Sequence, residues 1–138
     1  MPKPTFTLLV DDDQTTNYLN QKTLERLATT DKVLVAQNGQ QALELLLAHG
    51  QHTSPDCPAL IFLDMNMPVM SGLEFLEAYQ QLPAIGHAII IVMLTTPLHP
   101  DKMQRLRQLP VTGILNKPLT AEKIEDVLKT YFAREQPG

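Results

Sequence analysis

The chain has 138 residues, 43% of them hydrophobic, with a net charge of −4 and a single cysteine, Cys57. That is enough apolar mass for one domain with a real core and too much for a disordered chain. The negative charge speaks against nucleic acid, which needs clustered Lys and Arg, and one cysteine excludes an intrachain disulfide or a cysteine-based metal site. A cytoplasmic setting is expected. The N-terminal MPKPTFTLLV carries too short an apolar run for a signal peptide, and the longest apolar stretch, Ala88 to Leu94, is far too short to span a membrane, so no membrane partner is expected.

In chain order, Thr5 to Val10 reads as a buried parallel strand, followed at once by Asp11, Asp12 and Asp13. Thr15 to Leu27 is helical in pattern, with Leu19, Leu24 and Leu27 offering an imperfect apolar face. Lys32 to Ala36 is a second strand and Asn38-Gly39 a turn signal. The helix Gln40 to Ala48 holds Ala42, Leu43, Leu45, Leu46 and Leu47 and should be largely buried. The polar stretch His49 to Pro58 reads as a loop. Ala59 to Leu63 is a third strand that stops on Asp64, with Asn66, Met67 and Pro68 behind it. Leu73 to Leu82 is a third helix with Leu73, Leu76 and Tyr79 on one stripe. Ala88 to Leu94 is the most hydrophobic strand and ends on Thr95-Thr96. Asp101 to Leu109 is a short helix with Met103 and Leu106 inward, and Val111 to Leu115 a fifth strand ending on Asn116-Lys117-Pro118. The last helix, running to Glu135, is the clearest. Ile124, Val127, Leu128, Tyr131 and Phe132 recur at helical spacing, Thr120 is the expected N-cap, and Leu119 and Ile124 form a hydrophobic staple.

Strand and helix therefore alternate throughout, with no internal repeat or linker. The pattern implies a flavodoxin-like, doubly wound five-stranded parallel sheet of order 2-1-3-4-5, with helices on both faces. In such a sheet every strand C-terminus lies on one edge, so Asp11, Asp12, Asp64, Thr95 and Lys117 should gather at one rim. Unit charges about 4 Å apart interact by ~4 kcal/mol at an effective dielectric near 20. Clustered carboxylates therefore need a proton or a cation. All-oxygen donors with open positions suit Mg²⁺ bound together with a phosphate. Lys117 would add a point charge for a phosphoryl oxygen and Thr95 a hydrogen bond. With no Ser/His or Cys/His pair evident, the acceptor would be a carboxylate.

Taken together, LLVDD at Leu8–Asp12, NGQQALELL at Asn38–Leu46, LDMNMPVMSGLEFL at Leu63–Leu76, Thr95-Thr96 and NKPLT at Asn116–Thr120 resemble a response-regulator receiver domain of two-component signalling. Each motif is short; their order and spacing are specific. The resemblance runs from about Thr5 to Phe132. It implies one receiver domain over residues 1–138 without an output domain, signalling by contact or relaying phosphate rather than acting as an enzyme. Asp64 would be the phosphoacceptor. Asp12 would bind Mg²⁺ directly and Asp11 through water, with the Asn66 backbone carbonyl and Asp64 completing the metal site. Lys117 would pair with the phosphoryl group, and Thr95 would swing to hydrogen-bond it. The Lys117–Pro118 bond is often cis in the family. The implied donor is a sensor histidine kinase or a histidine phosphotransfer protein. The face of the fourth helix, fifth strand and fifth helix would meet an unknown downstream protein, and the chain would be a monomer or weak homodimer.

There are three departures. Ile114 stands where an aromatic residue is usual, Thr96 where a small residue is usual and so could crowd the phosphoryl pocket, and the segment before Asp64 is long. Two other readings compete. One is a Mg²⁺-dependent phosphatase with an aspartyl-phosphate intermediate, which would want an acid where Asn66 stands. The other is an interaction module independent of phosphorylation, which the intact charged set argues against. Asp13 reads as a helix-start residue rather than a ligand, the four histidines (49, 52, 87, 99) as solvated loop residues, and Met65, Met67 and Met70 as loop packing.

Overall fold

Apolar residues fill both faces of the central strands, and the pleat of the backbone sorts them into two cores. The structure, a computed structural model, describes residues 4–28, 32–49, 53, 58–67, 70–82, 89–96 and 99–132. The order is β1 (Thr7–Val10), α1 (Gln14–Leu27), β2 (Val33–Ala36), α2 (Gly39–His49), β3 (Ala59–Asp64), α3 (Gly72–Gln80), β4 (Ile89–Thr95), α4 (Pro100–Leu106), β5 (Gly113–Asn116) and α5 (Ala121–Tyr131). The strands form one parallel sheet, β2-β1-β3-β4-β5, as the alternation implied.

One core takes Leu8 and Val10, Ile61 and Leu63, and Ile91 and Met93 from the sheet, under Ala42 and Leu46 of α2, Phe75 and Leu76 of α3 and Leu106 of α4. The other takes the alternate residues Leu9, Leu60, Phe62, Val92 and Leu94, covered by Leu24 of α1 and by Ile124 and Val127 of α5. Helices thus lie on both faces. Among the described residues, no helix is long and apolar enough to cross a membrane.

Local signals explain where the elements start. Thr120 caps α5 by accepting from the Lys123 N–H, and Leu119 and Ile124 meet in the same cluster, as expected. Ser71 and Glu74 form a reciprocal capping box on α3. Asn38 accepts from the Gln41 N–H at 2.8 Å, so the Asn-Gly signal is itself the start of α2. The end of α1 falls at Ala28, whose left-handed φ of 53° is costly for a residue with a Cβ.

Four expectations need correction. Leu19 is 57% exposed, because the buried stripe of α1 runs through Asn17 and Leu24 instead. Leu47 of α2 is 49% exposed, since one helix cannot turn all five apolar positions inward. Phe75, which the stripe on α3 left out, is completely buried. His49 closes α2 rather than a loop, its ring 6.0 Å from that of Phe6 and its Nδ1 3.2 Å from Lys32 Nζ; His99, exposed and just outside α4 as its N-cap, agrees with the solvated-loop reading. His52, His87, Cys57, Pro68, Glu135 and most of the polar stretch from 50 to 57 lie outside the described residues.

Two outcomes follow. Phe75→Ala should cost about 3–5 kcal/mol in denaturant unfolding, the range for deleting a buried aromatic ring. Ala28→Gly should raise stability by about 0.5–1 kcal/mol by relieving the left-handed residue, read as a higher denaturant midpoint at unchanged slope.

Candidate functional site

Register decides which side chains meet. Val10 pairs with Leu63, so the next residues along these strands, Asp11 and Asp64, come out side by side at the rim. Asp64 in turn pairs with Leu94, which puts Thr95 one step further on, opposite Asn116. Each loop is pinned just beyond its strand: Asp11 N–H donates to the Ala36 carbonyl at 3.1 Å, Met65 N–H to Leu94 at 3.0 Å and Lys117 N–H to Thr95 at 2.9 Å.

Asp64 is 1% exposed. Its Oδ1 lies 2.5 Å from Lys117 Nζ and accepts from the Asn66 N–H at 3.3 Å. Asp11 is buried and accepts from the Asp13 N–H at 2.9 Å through Oδ1, while Asp12 beside it is exposed. One carboxylate oxygen each from Asp11, Asp12 and Asp64 lie within 4.8 Å of one another. Oxygens sharing a hard divalent ion at ~2.1 Å stand up to ~4.2 Å apart, so the set fits such an ion with slight contraction. Burial, then the nearby Asp64 charge, pushes the Asp11 carboxyl up to about 6 against the opposing Asp13 hydrogen bond. A buried acid raised this far beside two others makes the cluster a candidate cation site.

These residues open into a cleft of about 420 Å³ whose walls include Asn66, Lys117, Leu19 and Leu119. At about 30 Å³ per water, that exceeds what one hydrated ion needs. Asp11, Asp12, Asp64, Asn66 and Lys117 are therefore brought together. Thr95 is set back: it is 1% exposed, and its hydroxyl donates to the Thr96 carbonyl at 2.7 Å rather than facing Asp64. Thr96 is exposed and does not line the cleft, so the expected crowding is not seen. The Lys117–Pro118 peptide is cis. Asp13 caps α1 through Thr15 N–H and Thr16 Oγ1, which hold its carboxyl below the usual range, in line with a helix-start role. Met65 is buried and Met67 and Met70 pack against the core.

Two residues escaped the sequence reading. Asn17, 3% exposed, donates from Nδ2 to the Asp11 carbonyl at 2.8 Å, and its buried Oδ1 has no hydrogen bond among the described residues. Asn17 thus fixes the Asp11 main chain from a buried position on α1. The signal was an amide seven residues before Leu24, in the apolar register. Gly72 is the other: a Cβ there would stand 2.7 Å from the Asp64 carbonyl oxygen, so only glycine lets α3 start this close to the end of β3.

A doubly wound sheet carrying three acids and a lysine at its C-terminal rim fits phosphoryl acceptance. Comparison with known proteins agrees. The family model described as "Response regulator receiver domain" matches residues 7–129. The chain is 30% identical over 125 residues to a probable chemotaxis protein CheY of Rhizobium etli, covering 91% of this chain and 90% of that one. It is 32% identical over 133 residues to a chemotaxis protein CheY homolog of Campylobacter jejuni, covering 89% and 92%. Among solved structures, a response regulator receiver protein from Dyadobacter fermentans superposes with a TM-score of 0.74 at 26% identity, covering 92% and 97%. The chain belongs to the response regulator receiver family. It is a receiver domain of the two-component type, and its acidic cluster fits phosphoryl acceptance; the phosphatase reading is not favoured. Receivers of this type are signalling modules that interact with histidine kinases and downstream targets.

The Asp11 shift fixes a pH dependence. A carboxyl whose folded pKa of about 6 exceeds its ordinary value of 3.8 contributes stability that is fully present below about pH 4 and lost as pH rises through 6. In metal-free buffer at pH 7, Asp11→Asn should therefore be more stable than wild type. Two pK units correspond to about 3 kcal/mol, reduced to about 1–2 kcal/mol by water at the rim. Denaturant unfolding should show this gap closing by pH 4.

Proposed function

We propose that Asp64 accepts a phosphoryl group from a phosphohistidine on a sensor kinase or a phosphotransfer protein in the cytoplasm. What carries this reading is the buried Asp64 carboxylate paired with Lys117 at 2.5 Å beside two further acids. Lys117 and the Asn66 N–H engage Oδ1, and attack is assigned to Oδ2, which has no hydrogen bond among the described residues. The P–N bond of the donor breaks as the Oδ2–P bond forms. The electron pair leaves with the imidazole nitrogen, and the two partners separate. Mg²⁺, held by Asp11, Asp12, Asp64 and the Asn66 carbonyl, would neutralise charge on the phosphoryl oxygens. Lys117 then shifts from a carboxylate partner to a phosphoryl partner. Asn66, two residues after Asp64, has no proton to give or take at neutral pH, so the acyl phosphate is not handed rapidly to water by a general base.

The added group brings about −1.5 to −2 charge to one fixed point. Thr95 must leave the Thr96 carbonyl to reach it, and that motion is the coupling to the face of α4, β5 and α5. Ile114 packs into the core on the sheet face under α2, α3 and α4, so readout there goes through an aliphatic contact. The downstream partner would bind that face, with the chain a monomer or weak homodimer.

Intact-mass spectrometry after incubation with Mg²⁺ and a small-molecule phosphodonor tests this directly. Wild type should gain one phosphoryl group and Asp64→Asn none. No adduct on wild type, combined with no binding of beryllofluoride, would remove the proposal.

A further inference from the structure

A lysine in the first turn of a helix sits against the helix dipole, whose N-terminal end favours acids. Lys123 is such a residue: it stands three positions after Thr120, the N-cap of α5, and its own N–H donates to Thr120 Oγ1 at 3.2 Å. At this position a capping box has Glu or Gln reaching back to a backbone N–H, as Glu74 does for Ser71 in α3. In α5 the reach is longer and its polarity inverted. Lys123 Nζ donates to the Asn116 carbonyl at 2.7 Å and to the Pro118 carbonyl at 2.9 Å. Those are the carbonyls on either side of Lys117.

We propose that Lys123 is a positioning residue for Lys117: by tying together the two carbonyls that flank it, the Lys123 ammonium fixes the point from which the Lys117 side chain reaches Asp64. The opposite side of the loop is already held, because the Lys117 N–H donates to the Thr95 carbonyl at 2.9 Å. The loop is thus clamped between β4 and α5. The clamp matters because a lysine side chain carries about 2 kcal/mol of rotamer entropy. The Lys117 side chain is 33% exposed, so part of its length is free of packing. A small displacement of its root would carry the ammonium away from the oxygen it meets at 2.5 Å. A charge placed against the dipole is then offset by two charge-assisted hydrogen bonds and by the aim of a neighbouring charge. The inference deepens the proposed function and rests on it.

The test compares full-length wild type, Lys123→Met and Lys123→Arg. The readouts are the rate of phosphorylation by a small-molecule phosphodonor at saturating Mg²⁺, the Mg²⁺ affinity and the melting midpoint. Lys123→Met should label about tenfold more slowly, in the range that small misplacements cost. Its Mg²⁺ affinity should not fall, because Asp11, Asp12 and Asp64 sit on other loops. Lys123→Arg, whose guanidinium can span two carbonyls, should recover most of the rate. Labelling of Lys123→Met at the wild-type rate would overturn the inference. So would a joint fall of rate, metal affinity and melting midpoint, which marks a general loosening, or a Lys123→Arg rate no better than that of Lys123→Met. Should Lys123→Met fail to fold, Lys123→Gln carries the same comparison. Failure of wild type itself to label, while a control receiver labels, would count against the underlying function instead.

Discussion

The ion pair of Lys117 with Asp64 is the contact around which the rim is arranged, because a buried carboxylate beside two other acids needs an opposite charge at close range. Removing one member of such a pair leaves a charge in a low-dielectric site with nothing to offset it. Asp11 shows what happens without an ion-pair partner at close range: burial, then the nearby Asp64 charge, moves its carboxyl well above the usual range. The cluster is therefore out of balance as it stands, with more anionic groups than cations. Under the proposed function, that imbalance is what a hard cation would relieve.

What holds the imbalance in place is a repeated device. Three times, the residue just beyond a strand donates its N–H to the last or next-to-last carbonyl region of the neighbouring strand: Asp11 to Ala36, Met65 to Leu94 and Lys117 to Thr95. The parallel ladder thus continues one residue past the sheet, into the loops that bear the charged groups. Beneath it lies a body packed on both faces, with Phe62 and Phe75 fully buried on opposite sides. Such a body does not relax to let the acids separate. Asn17 tightens the Asp11 loop and Gly72 lets α3 approach the Asp64 loop, so precision at the rim comes from contacts that do little for stability elsewhere.

The parallel sheet and the convergence of Asp11, Asp64 and Lys117 were legible in the sequence because both follow from periodicity, apolar runs giving strands whose ends a parallel sheet aligns, while the strand order came with the flavodoxin-like class. Thr120 and Leu119 were legible for a similar reason, being local signals with local causes. The inner stripe of α1 was not legible, because a polar Asn17 occupies a core position that Leu19 seemed better suited to fill. Tertiary demand at the Asp11 carbonyl overrode hydrophobic pattern there. Gly72 and Lys123 were invisible for another reason. Their roles lie in contacts to backbone oxygens, at Asp64 and on either side of Lys117, and backbone oxygens leave no trace in a string of side chains.

Thr95 sets the scale of the switch that this rim can drive under the proposed function. Its hydroxyl now donates to a neutral carbonyl at 2.7 Å, a bond with a net worth of about 1 kcal/mol. A hydrogen bond to a charged phosphoryl oxygen is worth about 1.5–3 kcal/mol. The difference, about 0.5–2 kcal/mol, corresponds to a roughly two- to thirtyfold shift between the two hydroxyl positions. Reversing a strongly biased equilibrium takes about 5.5 kcal/mol, so Thr95 alone cannot throw the domain from one packing to the other. The rest must come from Lys117, which exchanges a carboxylate for a more highly charged partner at the same rim. The two residues are coupled through the backbone, since the Lys117 N–H rests on the carbonyl of Thr95 itself. Displacing either one therefore moves the support of the other, and a hydroxyl and an ammonium on adjacent strands respond to the same new charge as a unit.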